Sequence, residues 1–174
     1  MTAEASPARL FVDSDESAAI LLRWWTDLTR RRGERAELRR ASTPAEVLFC
    51  PGYHRLLGEL RSAGYLSEAS AAAGLAVVAA LAAHVETNAP TDSFARQMAE
   101  PAGPQRGARV SGLRFRRLLA TPERDQLLSP LVRALRLTGG RANLLEIARS
   151  AFFWGDRVRK RWAYDYYECA PKEA

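Results

Sequence analysis

Residues 69–83 read ASAAAGLAVVAALAA, a run without a charged side chain that ends just before His84 and Glu86. Alanine has the highest intrinsic helix propensity, and its small side chain lets neighbouring helices approach the helix axis closely. The run is only weakly hydrophobic and is shorter than the stretch of about 20 apolar residues that a transmembrane helix requires. We therefore predict a buried α-helix over about 67–87 and no membrane span.

Helix signals recur on both sides of this run. Thr43-Pro44-Ala45-Glu46 is a capping box with proline at the first helical position. Apolar residues at helical spacing mark a helix that runs to about residue 32, with Asp13 or Ser14 as its cap and with Ile20, Leu21, Trp24, Trp25 and Leu28 on one face. No segment shows strand-type alternation, so the predicted fold is all-α. Further helices are expected over 34–41, 44–50, 53–62, 109–120, 121–139 with a kink or break at Pro130, 143–154 and 155–170.

Proline and glycine residues interrupt the chain between two helix-rich parts. Residues 89–108 contain three prolines and two glycines, with a short helix possible near 92–99. We predict a flexible arm at 1–13, an N-terminal helical lobe at 14–88, a linker at 89–108 and a C-terminal basic helical bundle at 109–170. The predicted architecture is thus two small helical bundles joined by a linker.

Positive charge is concentrated in the second half of the chain. The whole sequence carries a net charge of +6, but residues 1–100 carry −2 and residues 101–174 carry +8. Such an asymmetry favours a polyanionic partner for the second half. All basic residues except Lys160 and Lys172 are arginine, whose planar guanidinium contacts phosphate through paired hydrogen bonds and can stack on bases.

Residues suited to catalysis are scarce. The only histidines, His54 and His84, lie outside any ligand or general-base motif, and Cys50 and Cys169 have no partners at zinc spacing. The sequence contains no phosphate-binding glycine loop, no nucleophile elbow and no group of carboxylates suited to two metal ions. We expect no enzymatic activity, no metal and no cofactor. The first residues lack a signal-peptide pattern, which predicts a cytoplasmic location.

The segment RVSGLRFRR (109–117) places four arginines among apolar residues. On a helical wheel, at about 100° per residue, Arg109, Arg116 and Arg117 lie opposite the apolar half, where they are free to contact phosphate. Arg114 falls inside the apolar half. We expect Arg114 to be partly buried and to pair with a carboxylate or with helix-end carbonyls.

A second basic cluster occupies the last predicted helix. Arg157, Lys160 and Arg161 share an arc with Tyr164 and Tyr167, while Arg159 lies beside the residues that face the core. Basic residues interleaved with exposed aromatic side chains are typical of surfaces that bind single-stranded nucleic acid. The two tyrosines either stack on bases or pack on the neighbouring helix.

A third basic cluster lies at residues 30–40, where Arg31 and Arg35 can pair locally with Glu34 and Glu37. Three more arginines lie between the two later clusters: Arg133, Arg136 and Arg141. The sequence has no convincing helix-turn-helix, zinc-finger or RNA-recognition signature. It therefore predicts binding to nucleic-acid backbones, with little sequence preference and a strong dependence on salt.

An ordered set of motifs carries a family resemblance. It consists of Trp24-Trp25-x-x-Leu28, RRRGERAELRRA (30–41), Tyr53-x-x-Leu56, VSGLRFRRLLA (110–120), LVRALRLTGGRANLLEIA (131–148) and WGDRVRKRWAYDYY (154–167). Over residues 20–168 the chain resembles the CasB family, the small subunit of the type I-E CRISPR surveillance complex Cascade. The resemblance implies a non-enzymatic protein of two helical bundles that is present in two copies in the complex.

The resemblance also implies partners and a set of contact residues. The partners would be the CRISPR RNA, the target DNA including its displaced strand, the backbone and large subunits of Cascade, and a second copy of the chain. The implied nucleic-acid-binding residues are Arg39, Arg40, Arg109, Arg114, Arg116, Arg117, Arg133, Arg136, Arg141, Arg157, Arg159 and Lys160. A stand-alone helical regulator that binds duplex DNA and a nuclease remain as less favoured alternatives.

Overall fold

The computed structural model describes residues 14–67 and 69–172, and this part of the chain is mostly helical. Two short strands, β1 (Thr87–Asn88) and β2 (Arg141–Ala142), and a 3-10 turn at Arg124–Gln126 accompany the helices. The helices are α1 (Asp15–Arg30), α2 (Arg32–Arg40), α3 (Pro44–Val47), α4 (Pro51–Ser62), α5 (Ala69–His84), α6 (Phe94–Ala99), α7 (Gly112–Leu119), α8 (Leu128–Leu137), α9 (Leu144–Phe152) and α10 (Asp156–Cys169).

The alanine-rich run forms α5, which lies at the centre of the molecule. Residues 75–83 are each at most 1 % exposed, and α1 to α4, α8 and α9 all pack against α5. Gly74 marks a very close approach: a Cβ atom there would lie 2.8 Å from the Phe152 ring and from Nη1 of Arg124. The predicted buried helix is confirmed, and no helix in the described part of the chain is long and apolar enough to cross a membrane.

Side-chain caps begin the first helices where the sequence predicts them. The Ser14 hydroxyl accepts the backbone N–H of Ser17, and the Thr43 hydroxyl accepts that of Glu46. Such caps satisfy backbone donors that have no partner within the first turn of a helix. The predicted starts of α1 and α3 are therefore confirmed.

Only one of the two expected local ion pairs in α2 is present. Arg31 pairs with Glu34 at 3.4 Å, as predicted. Arg35 does not pair with a neighbouring glutamate; its guanidinium donates to the carbonyls of Ala83 and Val85, at 3.0 and 3.2 Å. The last carbonyls of a helix need donors from outside that helix, and the end of α5 finds them in Arg35.

A two-residue parallel sheet corrects the all-α prediction. Thr87 pairs with Arg141 and Asn88 with Ala142, which joins the segment after α5 to the segment after α8. Gly140, at φ +74°, permits this approach, because a Cβ atom there would lie 2.8 Å from Cγ of Glu86. Two residues are too few to produce a period-2 pattern, so these strands are not predictable from the sequence pattern.

The segment predicted as a linker contributes to the core. Within it, α6 begins at a Ser93 cap and buries five of its six residues, including Phe94 and Met98. The short helix expected near 92–99 is confirmed. Buried residues from both halves of the chain form one hydrophobic cluster, so the packing does not show two separate bundles, and the domain boundaries stay a prediction. The predicted arm at 1–13 lies outside the described residues.

Glu146 links α6, α9 and α10 and thereby sets the position of the last helix. Its Oε2 atom accepts the backbone N–H of Phe94 at 2.8 Å. Its Oε1 atom accepts hydrogen bonds from Ser150, Arg161 and Trp162 at 2.7, 3.0 and 2.9 Å. This mostly buried carboxylate fixes the face that α10 presents to the rest of the molecule.

Helices α7 and α8 are shorter than predicted. The Ser111 hydroxyl caps α7 by accepting the N–H of Arg114, so Arg109 and Val110 precede the helix. Pro130 lies in the first turn of α8, where a missing N–H costs no intrahelical hydrogen bond. The segment before it forms the 3-10 turn, so Pro130 lies near the start of one helix instead of kinking a longer one.

Candidate nucleic-acid interface

A groove with a volume of about 500 Å³ runs between α7 and α8. Four arginines line it: Arg114 and Arg117 from α7, and Arg133 and Arg136 from α8. Its other lining residues are apolar: Val110, Leu118, Pro130, Ala134 and Leu137. The spacings 114/117 and 133/136 place each pair on one face of its helix, and both faces border the same groove.

The four arginines of this α7–α8 groove are exposed and lack acidic partners. No aspartate or glutamate in the described part of the chain lines the groove, and none forms an ion pair with these guanidinium groups. No ion pair among the described residues therefore neutralises these positive charges. Fixed charges of one sign in a cleft raise the local concentration of an oppositely charged ligand.

The exposed position of Arg114 contradicts the prediction that it is partly buried. The helical wheel counted Val110 as part of the helix, but α7 begins only at Gly112. Arg114 lies on a side of α7 that faces the open groove, and no helix among the described residues covers it. A wheel identifies the faces of one helix but does not show which of them another element covers.

A neighbouring hollow of about 320 Å³ continues the positive surface. Arg39 and Arg40 of α2 line it on one side, and Arg133 and Arg136 of α8 line it on the other. Since the latter two also line the α7–α8 groove, the surface is continuous from α2 across α8 to α7. We call this surface the basic strip; its residues are Arg39, Arg40, Arg114, Arg117, Arg133 and Arg136.

The one ion pair that a residue of the basic strip forms within the described chain is weak. Nη1 of Arg39 lies 3.7 Å from Oε1 of Glu86, and both side chains are about half exposed. Exposed pairs of this kind contribute little and are screened by salt. Arg39 therefore remains available to an external anion.

His84 also lines the hollow that Arg39 and Arg136 line. It is 8 % exposed. Burial, and then the positive charges of Arg39, Arg136 and Arg35, lower the pKa of His84 from 6.5 to about 4. The imidazole is therefore neutral at physiological pH. No group of three potential metal ligands occurs among the described residues.

Arg116 lies on the other side of α7, away from the basic strip. It lines a separate hollow with Arg106, Lys172, Tyr166 and Tyr167. Between this hollow and the α7–α8 groove, the ring of Phe115 stacks on Tyr166 at a centroid distance of 3.9 Å. Arg116 and Arg117 are both exposed, as predicted, but they face different surfaces.

Arg109 and Arg141 are engaged within the protein. Both contact Glu100 at the end of α6: Nε of Arg109 lies 3.5 Å and Nη1 of Arg141 lies 2.9 Å from its carboxylate. Together they fix the loop before α7 and the strand β2 to the end of α6. Neither lines the basic strip, although the wheel indicated that Arg109 is free for phosphate.

The basic residues of α10 form a different surface. Arg157 and Lys160 are exposed and form no ion pair within the described residues, whereas Arg159 pairs with Asp156 at 3.2 Å. Tyr164 is 74 % exposed, and Tyr167 is 53 % exposed with one edge against Phe115. Tyr164 is therefore exposed enough to stack on a base, whereas Tyr167 is partly exposed and also packs against a neighbouring ring.

Sequence reasoning missed the apolar lining of the groove and the exposed basic residues Arg106 and Lys172. Leu137 is 39 % exposed at the end of α8, beside Arg136. In the sequence, the only local indication of this apolar lining is weak: a leucine stands four positions after Arg133 and next to Arg136. The groove itself depends on where α7 and α8 lie relative to each other in the folded chain, which the pattern within either helix does not contain.

Comparison with known proteins identifies the family. Residues 34–167 match the family described as CRISPR-associated protein Cse2, whereas no curated protein sequence matches significantly. A chain in the crystal structure of E. coli Cascade bound to a PAM-containing dsDNA target has a similar fold, with TM-score 0.68 and 22 % identity over 86 % of this chain and 93 % of that chain. The crystal structure of CasB from Thermus thermophilus is also similar, with TM-score 0.60 and 24 % identity over 94 % and 99 % of the two chains. The chain therefore belongs to the Cse2/CasB family, which the ordered motifs of its sequence predicted.

Proposed function

We propose that this chain is a non-catalytic subunit of type I-E Cascade that binds nucleic-acid backbones without sequence specificity and stabilises the R-loop and its displaced DNA strand. The observation that carries the proposal is the basic strip. Six arginines from three helices line one continuous surface, and five of them form no ion pair within the described residues.

The composition of the strip supports recognition of phosphate. Guanidinium groups bind phosphate oxygens through paired, charge-assisted hydrogen bonds. Phosphate contacts position a protein on nucleic acid but carry no sequence information. A surveillance complex delegates sequence recognition to its guide RNA, so a subunit that contacts only the backbone fits that role.

Contacts to nucleic-acid backbones can determine whether an R-loop forms. The RNA–DNA heteroduplex of an R-loop is about as stable as the DNA duplex that it replaces, so contacts to the backbones shift the balance. A strip that holds the displaced strand opposes its return to the target strand. We place this role on Arg133 and Arg136 first, because they lie at the middle of the strip.

Family membership supports assembly with the other parts of Cascade. We propose that the partners are the CRISPR RNA, the target DNA, the backbone and large subunits, and a second copy of this chain. The E. coli chain with a similar fold comes from a Cascade structure bound to a dsDNA target. We propose that Arg157, Lys160 and Arg116, which lie outside the strip, make further contacts to nucleic acid.

Charge reversal in the middle of the strip tests the proposal. Cascade assembled with the Arg133→Glu/Arg136→Glu variant should form R-loops on a matched duplex at least about 10-fold less efficiently, because phosphate attraction is replaced by repulsion. R-loop formation is measured by electrophoretic mobility shift, and circular dichroism of the isolated subunit checks that the variant folds.

The matched control is Arg30→Glu/Arg32→Glu, which changes the net charge equally at exposed positions outside the strip. It should retain R-loop formation. An equal loss in both variants would show that only net charge matters and would contradict the assignment to the strip. If instead the isolated subunit bound one duplex sequence tightly, the stand-alone regulator would be the better assignment.

A further inference from the structure

The α7–α8 groove has an apolar lining that binding to phosphate alone does not require. Between the four arginines lie Val110, Leu118, Pro130, Ala134 and Leu137. Of these, Leu137 is 39 % exposed and Pro130 is partly exposed, whereas Val110, Leu118 and Ala134 are buried. A surface that meets only a sugar–phosphate backbone gains nothing from exposing Leu137 and Pro130 to water. A groove with both arginines and exposed apolar side chains is suited to a ligand that carries a negative charge and an apolar face close together.

We propose that the α7–α8 groove holds an unstacked nucleobase of a single strand while its phosphates contact the flanking arginines. This inference rests on the proposed function and names the form of nucleic acid that the groove takes. The faces of a base are apolar, and they stack on guanidinium planes, which Arg114, Arg117, Arg133 and Arg136 supply. The groove volume of about 500 Å³ lies within the range of small-molecule sites.

The groove should favour single strands over duplexes. A base within a duplex must be unpaired and unstacked before it can enter a groove, whereas a displaced strand has no such cost. Apart from its arginines, which we assign to phosphate and to stacking, the described lining contains no polar side chain that could read the edge of a base. Since every base has an apolar face, the site should accept strands of different sequence.

Fluorescence anisotropy with two labelled oligonucleotides tests this proposal on the full chain. One is a 12-nucleotide oligothymidylate, and the other has the same phosphates and length but abasic sugars. The wild-type chain should bind the oligothymidylate about 5-fold or more tightly than the abasic strand, because only the former offers a base to the groove. Equal affinities for the two strands would overturn the proposal.

Three variants separate the base from the phosphate. Leu137→Ala shortens an exposed apolar wall of the groove and should reduce the preference for oligothymidylate. Leu113→Ala, a matched control at an exposed leucine of α7 that does not line the groove, should keep it. Arg136→Ala should weaken the binding of both strands. A preference that survives Leu137→Ala and falls with Leu113→Ala would contradict the site.

The outcomes distinguish failure of this inference from failure of the proposed function. If both strands bind equally and in a salt-dependent manner, backbone binding stands and the base site does not. If neither binds and charge reversal leaves the R-loop unchanged, both fail. If Leu137→Ala leaves the preference intact but prevents incorporation into Cascade, the groove receives an acidic amphipathic segment of a partner subunit instead of a base.

Discussion

At the scale of single residues, neighbouring arginines in one segment have different roles. Arg109 contacts Glu100, Arg114 and Arg117 line the α7–α8 groove, and Arg116 faces the hollow beside α10. Successive residues of a helix differ by about 100° in direction, so adjacent charges readily serve different surfaces. The sequence correctly predicts that Arg116 and Arg117 are exposed, but it does not predict which surface each one joins.

Arg114 provides a test at this scale, because its exposed guanidinium has no described ion-pair partner. Arg114→Ala should leave the free energy of unfolding within about 0.5 kcal/mol of wild type. The same variant should bind single-stranded DNA more weakly, and the slope of log affinity against log salt should shrink by roughly 0.7, as expected for one lost phosphate contact.

Chemical denaturation and anisotropy titrations at several salt concentrations supply these two measurements. Arg30→Ala is the control, since Arg30 is exposed beside Asp27 and Glu59 and lines a different hollow. It should leave both quantities near wild type. A clear loss of stability in Arg114→Ala would restore the buried role that the helical wheel indicated.

At the scale of elements, α5 shows how an alanine-rich sequence organises a helical protein. Small side chains on all of its faces allow helices from both halves of the chain to reach its axis. The sequence predicts the helix and its burial because alanine propensity and the absence of charge are local properties. It does not predict which helices surround α5, because that depends on surfaces far apart in sequence.

Gly74 tests the close approach to α5. Gly74→Ala should lower the free energy of unfolding by about 1–2 kcal/mol, because a methyl group would overlap the Phe152 ring. The cost of this overlap should exceed the stability that the higher helix propensity of alanine adds. Gly58→Ala is the matched control. A Cβ atom there meets nothing within 4 Å, so the variant should gain about 0.5–1 kcal/mol.

Urea denaturation of both glycine variants measures these changes. A stabilised Gly74→Ala variant would show that Phe152 and the Arg124 side chain yield without cost. The contact between α5 and α9 at this position would then be looser than the structure indicates.

At the scale of the whole molecule, the basic strip exists only because the fold brings α2, α7 and α8 to the borders of two adjoining hollows. Its arginines come from sequence positions 39–40, 114–117 and 133–136. The parallel pairing of β1 with β2 joins the ends of α5 and α8, and it helps to place α8 beside α2. The same arrangement buries His84 next to arginines from α2 and α8.

His84 makes the stability of the whole molecule depend on pH. Its pKa is about 4 in the folded chain and near 6.5 when unfolded, so the unfolded state binds more protons between these values. The free energy of unfolding should therefore decrease as the pH falls from about 6.5 to 4, by up to about 3 kcal/mol from this residue.

Denaturation at several pH values checks this prediction against the His84→Gln variant, which cannot take up the proton. The wild type should lose more stability than the variant over the same range, whatever other groups titrate. Parallel curves for the two proteins would mean that His84 is not held in its neutral form by burial.

The sequence by itself determined the helical class, most helix positions, the cap at Thr43, the buried alanine helix and the family. These follow from local propensity, periodicity and the order of motifs. Only the tertiary structure decided that Arg114 is exposed, that Arg109 and Arg141 contact Glu100, and that arginines from three helices form one strip. The physical reason is that burial and charge pairing depend on which helix faces meet, and that is a property of the packed chain, absent from any single segment.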